Sequence, residues 1–156
     1  MSKKIIISTL LSILCYTLLA QTPLSGEYTI SPSGGDFSSF NEAVNSLKAN
    51  GISSMVTFNV AAGTYEEFFE MDSISGVSES AQILFVGEDA GTTILKVASD
   101  TTMSVVSVNR TSHIQFHHLT ISHQGHPSTP VDAVSLKNSA NILFKNCHMT
   151  GGLNVW

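Results

Sequence analysis

Five of the six histidines fall within fourteen residues, HIQFHHLTISHQGH: His113, His117, His118, His123 and His126. Imidazole is the commonest metal ligand and the side chain that titrates nearest neutrality, so such a cluster raises metal binding or proton transfer. Position decides between them. If Ile114 and Phe116 point inward from a strand, His113 and His117 share its outer face. They are the candidate pair for zinc or copper, but a third fixed ligand is not evident. Turn or surface histidine is the reading favoured, and no cofactor is expected. His123 and His126 fall after Ile121, beside Gly125 and Pro127, and are assigned to a loop.

The second candidate is acidic. TYEEFFEMD supplies Glu66, Glu67, Glu70 and Asp72. On a strand, Tyr65, Glu67, Phe69 and Met71 take one face, and Glu66, Phe68, Glu70 and Asp72 the other. Paired carboxylates can carry acid–base chemistry or hold calcium, yet calcium asks for at least about six oxygens. A solvated edge with one structural glutamate is therefore expected. Glu88 and Asp89, near Gly87 and Gly91, read as turn residues. No Gly-x-Ser-x-Gly step anchors a hydrolase triad. SPSGGD lacks the Lys-Ser/Thr of a phosphate loop. Asn109-Arg110-Thr111 is a glycosylation sequon that bears only on a eukaryotic secretory route. No catalytic residue is assigned.

The elements that must position these groups begin after residue 20. MSKK followed by the apolar run Ile5–Ala20 has the layout of a secretory signal peptide, with cleavage expected near Ala20–Gln21. The run is short for a membrane span of about 20 residues. Contact with a membrane is therefore expected only through this segment, during export. The remaining chain keeps five basic residues against twelve acidic ones, a formal charge of −7, so nucleic acid is not an expected partner. It keeps one cysteine, Cys147, which excludes an intramolecular disulfide.

One helix stands out. SSFNEAVNSLKANG spaces Phe40, Ala43, Val44 and Leu47 at helical intervals, Ser39 and Glu42 suggest a capping box, and Gly51 can close the far end in the left-handed conformation. Residues 39–50 are expected to lie over the first rung, near Val56 and Phe58.

After the helix the chain repeats. VSVNRTSHIQFHHLTI (106–121) and VSLKNSANILFKNCHM (134–149) align at an offset of 28. The alignment sets Ile114 on Ile142, Phe116 on Phe144, His113 on Asn141, His117 on Lys145, His118 on Asn146 and Cys147 on Leu119, an inward slot. The same apolar-x-Phe step occurs at Val56-Thr57-Phe58 and Ile83-Leu84-Phe85. Short apolar runs with many Ser, Thr, Asn and Gly residues mean strands and turns. A fixed period of this length means stacked units. The fold class is therefore all-β: a parallel β-helix with columns Val56, Ile83, Ile114, Ile142 and Phe58, Phe85, Phe116, Phe144 inside.

Two segments, SGGDFSSFNEAVNSL (33–47) and TFNVAAGTYEEFFEM (57–71), resemble the N-terminal region of pectin methylesterase-type proteins and other pectin lyase-like right-handed parallel β-helices. Gly63, Thr64, Tyr65 and Glu67 match the Gly-Thr-Tyr-x-Glu step of that class. The whole chain looks most similar to large exported β-helix proteins of Bacteroidetes-type bacteria. The resemblance implies a right-handed coil with a capping helix, and it places Glu67 near the cap. The catalytic signature of the esterases, with two Asp residues and an Arg-Pro-Trp step, is not found.

The expected organisation is a signal peptide (1–20), an N-terminal strand and capping helix (21–52), and coils over 53–156 that form the front part of a longer solenoid and self-associate through an open end. The expected function is an exported or cell-surface scaffold that is adhesive or binds polysaccharide or surface glycan. The alternative is the front of a pectin methylesterase-like or polysaccharide lyase-like enzyme whose active rungs follow residue 156.

Overall fold

In the computed structural model, residues 22–97, 102–124 and 131–155 are described. The expected signal peptide, His126 and Trp156 lie outside them. The described chain opens with β1 (Leu24–Ile30) and α1 (Phe40–Asn50). Four coils of three strands each follow. They are β2 (Ile52–Val60), β3 (Gly63–Glu66) and β4 (Phe69–Asp72); β5 (Ile83–Gly87), β6 (Thr93–Val97) and β7 (Val106–Asn109); β8 (Ile114–His117), β9 (Thr120–His123) and β10 (Asp132–Lys137); and β11 (Ile142–Lys145), β12 (His148–Thr150) and β13 (Gly152–Val155). Equivalent strands pair in parallel, giving one five-stranded sheet, β1-β2-β5-β8-β11, and two four-stranded sheets, β3-β6-β9-β12 and β4-β7-β10-β13. The molecule is a parallel β-solenoid with a single helix among the described residues.

The register follows from side-chain chemistry. Val56, Ile83, Ile114 and Ile142 stand opposite one another, as do Phe58, Phe85, Phe116 and Phe144. The three successive phenylalanine pairs stack with centroids 4.9, 5.4 and 5.0 Å apart. A one-residue slip would move every apolar side chain of a strand to the outer face, so these columns fix the pairing. The corners repeat too. Ser73, Arg110 and Asn138 share one positive-φ column, His113 and Asn141 a second, His118 and Asn146 a third. Asn and His tolerate this left-handed backbone better than most residues, which accounts for two of the five clustered histidines as corner residues.

At the front, the segment Gly35-Asp36-Phe37 closes the sheet edge. The Thr29 N–H donates to Asp36 Oδ2 (2.7 Å), the Phe37 N–H to Thr29 O (3.0 Å) and the Ser31 N–H to Phe37 O (2.9 Å). Gly35 is required by close approach, because a Cβ there would sit 2.8 Å from Thr29 O. Phe58 is covered by Tyr28 and Phe37, with centroids 5.8 and 5.7 Å away.

The helix lies over the first coil with its seat shifted toward β4 and β1, while Tyr28 and Phe37 are the residues seen to cover Phe58. Phe40, Ala43, Val44 and Leu47 are all buried, as their spacing requires. Phe40 stacks on Phe69 (5.6 Å) and Phe85 (5.7 Å) and meets Tyr65 edge-on (5.1 Å). The capping box is also shifted. Ser39 accepts from the Glu42 N–H, but the Glu42 carboxylate reaches the N–H and hydroxyl of Ser38, both at 2.7 Å. Gly51 has φ 67° with ψ −165°, outside the left-handed helical region, and still donates to Leu47 O at 2.8 Å.

Glu67 explains why the helix stays attached. Its carboxylate accepts from the N–H groups of Phe40 and Asn41, both at 2.9 Å, and from the Asn41 amide at 2.7 Å. These are free donors of a helix N-terminus, where negative charge is favourable. Tyr65 completes the joint by donating to Ala61 O (2.9 Å) and Ile30 O (3.2 Å). Burial, then the Glu67 carboxylate, push its phenol above the usual value.

Candidate binding site on the outer face of the five-stranded sheet

Residues that alternate with the buried columns form the outer face. Glu27, Thr57, Leu84, Gln115 and Leu143 make one outward row across the five strands, and Thr29, Asn59, Val86, His117 and Lys145 the next. An open depression of about 460 Å³ lies on this face, lined by Glu79, Gln82, His113, Gln115, Asn141, Ile142 and Leu143. A second, of about 380 Å³, lies toward β1 and β2 and includes Thr29, Asn59 and Val86.

A directed chain of hydrogen bonds crosses the first depression. The Gln82 amide donates to Glu79 O (2.8 Å), and the Gln115 amide donates to Gln82 Oε1 (2.5 Å). That fixes Gln115 Oε1 as an acceptor, so His117 Nε2, 2.9 Å away, must carry the proton. Burial, then Lys145 and His118, hold the His117 imidazole below its usual value. On the other side, the Asn141 amide nitrogen lies 3.3 and 3.5 Å from the His113 ring nitrogens. The Gln82 and Gln115 amides thus have a set orientation before any ligand arrives.

The structure separates the clustered histidines. His113 and His118 are corner residues, and His117 is an outward strand residue opposite Lys145. His123 is not in a loop: it ends β9 opposite Val97 and is buried at 3% exposure. The sequence places it after an inward isoleucine, and β9 simply runs two residues further. His148 stands opposite Thr120, on another sheet. Between His113 and His117 sits Gln115, bonded to His117. Among the described residues no group of three or more His, Cys, Asp or Glu side chains is placed to hold a metal ion.

The carboxylates are mostly occupied structurally. Glu67 holds the helix, Asp72 accepts both ends of the Arg110 guanidinium fork (3.1 and 2.6 Å), and Glu66 pairs with Lys96 (3.0 Å). Glu88 caps the corner at the Ala62 N–H (3.2 Å). In the sequon, the Asn109 Oδ1 is buried and Thr111 is buried with its hydroxyl bonded to Asn109 O. Cys147 is half-buried, its thiol donating to Phe116 O at 3.2 Å, and burial pushes the thiol up.

Sequence reasoning named His113 and His117 but missed Gln82, Gln115 and Asn141. The signal was present in the alignment at offset 28, which sets His113 on Asn141. No protein-family model matches the chain, and no curated protein does.

Proposed function

We propose that the chain is an exported, cell-surface β-solenoid scaffold that binds glycan on the outer face of its five-stranded sheet. The observation that carries this is the pre-oriented row Gln82, Gln115 and His117, with Asn141 and His113 beside it, around a depression open to solvent. Fixed neutral donors and acceptors match sugar hydroxyls, which both give and take hydrogen bonds. Leu143, 46% exposed at the rim, offers an apolar contact for the C–H face of a sugar ring. Rigid strands hold these groups, so little order need be created on binding. The composition of residues 1–20 supports export. The resemblance to the pectin lyase-like class rests on two segments that each have a structural task here, one closing the sheet edge and one holding the helix.

Affinity electrophoresis through gels containing polysaccharide tests the reading. Retardation by at least one polysaccharide, lost in Gln115→Ala and kept in Phe68→Ala, between β3 and β4, is expected. Unretarded migration in every gel overturns it. Release of new reducing or unsaturated ends from a polysaccharide would favour the enzymatic alternative instead.

A further inference from the structure

We infer that the ligand of this face is an uncharged glycan, not a polyuronate or sulfated one; the inference rests on the glycan-binding reading above. The lining of the depression contains one carboxylate, Glu79, and no Lys or Arg. Its other polar groups are the amides of Gln82, Gln115 and Asn141 and the His113 imidazole, and the hydrogen-bond chain that crosses it ends on His117 as donor to Gln115. The wider face agrees. The charged groups around the two depressions and their rows are Glu27, Glu79 and Glu88 against the single cation Lys145. Glu27 is held toward Asn59 (3.1 Å) and Glu88 toward Ala62, so neither is neutralised by a cation.

A polyanion gains affinity from clustered Lys and Arg, because neutralising its charges releases counterions, and that gain is salt-dependent. This face has no such cluster, and the chain is acidic overall. A carboxylate placed against Gln115 Oε1 or Gln82 Oε1, both already acceptors, would find no donor there. A hydroxyl can donate to their remaining lone pairs, whereas a carboxylate cannot. Two further cations are engaged elsewhere: Lys96, on β6, pairs with Glu66, and Arg110, at the corner after β7, pairs with Asp72.

The mature chain is run through gels containing neutral polymers (xyloglucan, galactomannan, arabinan, hydroxyethylcellulose) or acidic ones (polygalacturonate, alginate, hyaluronan), at low and high salt. The expected result is retardation by a neutral polymer only, with affinity changing less than about twofold between the two salt conditions. Gln115→Ala should weaken that binding by roughly tenfold. A Glu79→Lys variant, checked by its unchanged melting temperature, should gain salt-sensitive retardation by polygalacturonate. Salt-sensitive retardation of the unmodified chain by an acidic polymer would overturn the inference while leaving glycan binding intact. No retardation by either group would overturn both.

Discussion

Phe116 and Phe144 occupy the same slot in successive coils, and their surroundings differ. Phe116 has a coil on each side and is fully buried; Phe144, in the fourth coil, is half-buried. The same holds along the inner surface. Ile114, Ile121 and Val134 are fully buried, while their partners Ile142, Met149 and Leu153 are partly or largely exposed, Leu153 at 52%. In a solenoid, burial belongs to the stack and not to the residue: one side chain is worth what the coils above and below make of it.

The comparison can be broken by substitution. Phe116→Ala should destabilise by about 3–5 kcal/mol, since it empties a ring-sized volume between two stacked neighbours. Phe144→Ala should cost about half as much, because its ring is only partly buried. Denaturant midpoints compare the two directly, and equal losses would mean that the fourth coil is as well packed as the third.

The front end sharpens the same contrast. Glu67→Ala leaves the N–H groups of Phe40 and Asn41 without their acceptor and should cost about 1–3 kcal/mol, with loss of helical signal in circular dichroism. His117→Ala, on the outer face, should cost under about 0.5 kcal/mol by the same midpoint measurement.

Two smaller effects follow from titration. The folded His117 pKa lies below its ordinary value of 6.5, so the unfolded chain takes up this proton first as pH falls. Stability should be level above the ordinary value and decline as pH drops through it toward the folded one. Melting temperature against pH should show this slope, reduced in His117→Gln. The Cys147 thiol, raised by burial, should react more slowly with a disulfide reagent in the folded chain than in denaturant.

The inner architecture was legible because it repeats. A register written in Ile and Phe can be read from spacing alone, and the left-handed corners announced themselves as His and Asn at matching positions. Glu67 could be picked out as structural from the step it ends. What was not legible involves contacts that do not repeat. Tyr28 continues the phenylalanine column from a strand with no apolar-x-Phe step, and Phe37 covers Phe58 from a segment that forms only an isolated bridge with Ile30. Those two share the cover of the first coil with the helix, which sits toward β4. On the outer face, Gln82 and Gln115 sit 33 residues apart, and nothing in their types marks them as bonded.

The short segment Gly35-Asp36-Phe37 has a consequence for nucleation. A stack of parallel strands is a ready seed for adding more, since an open edge offers its backbone as a template. At β1 the seed is plugged: a side-chain carboxylate and one bridging residue take the Thr29 and Ser31 groups that an incoming strand would need. The plug requires that residue 35 carry no Cβ. One methyl group at Gly35 would lift it, turning a finished surface into a growing one, and the lag before fibril formation is where that change would be felt.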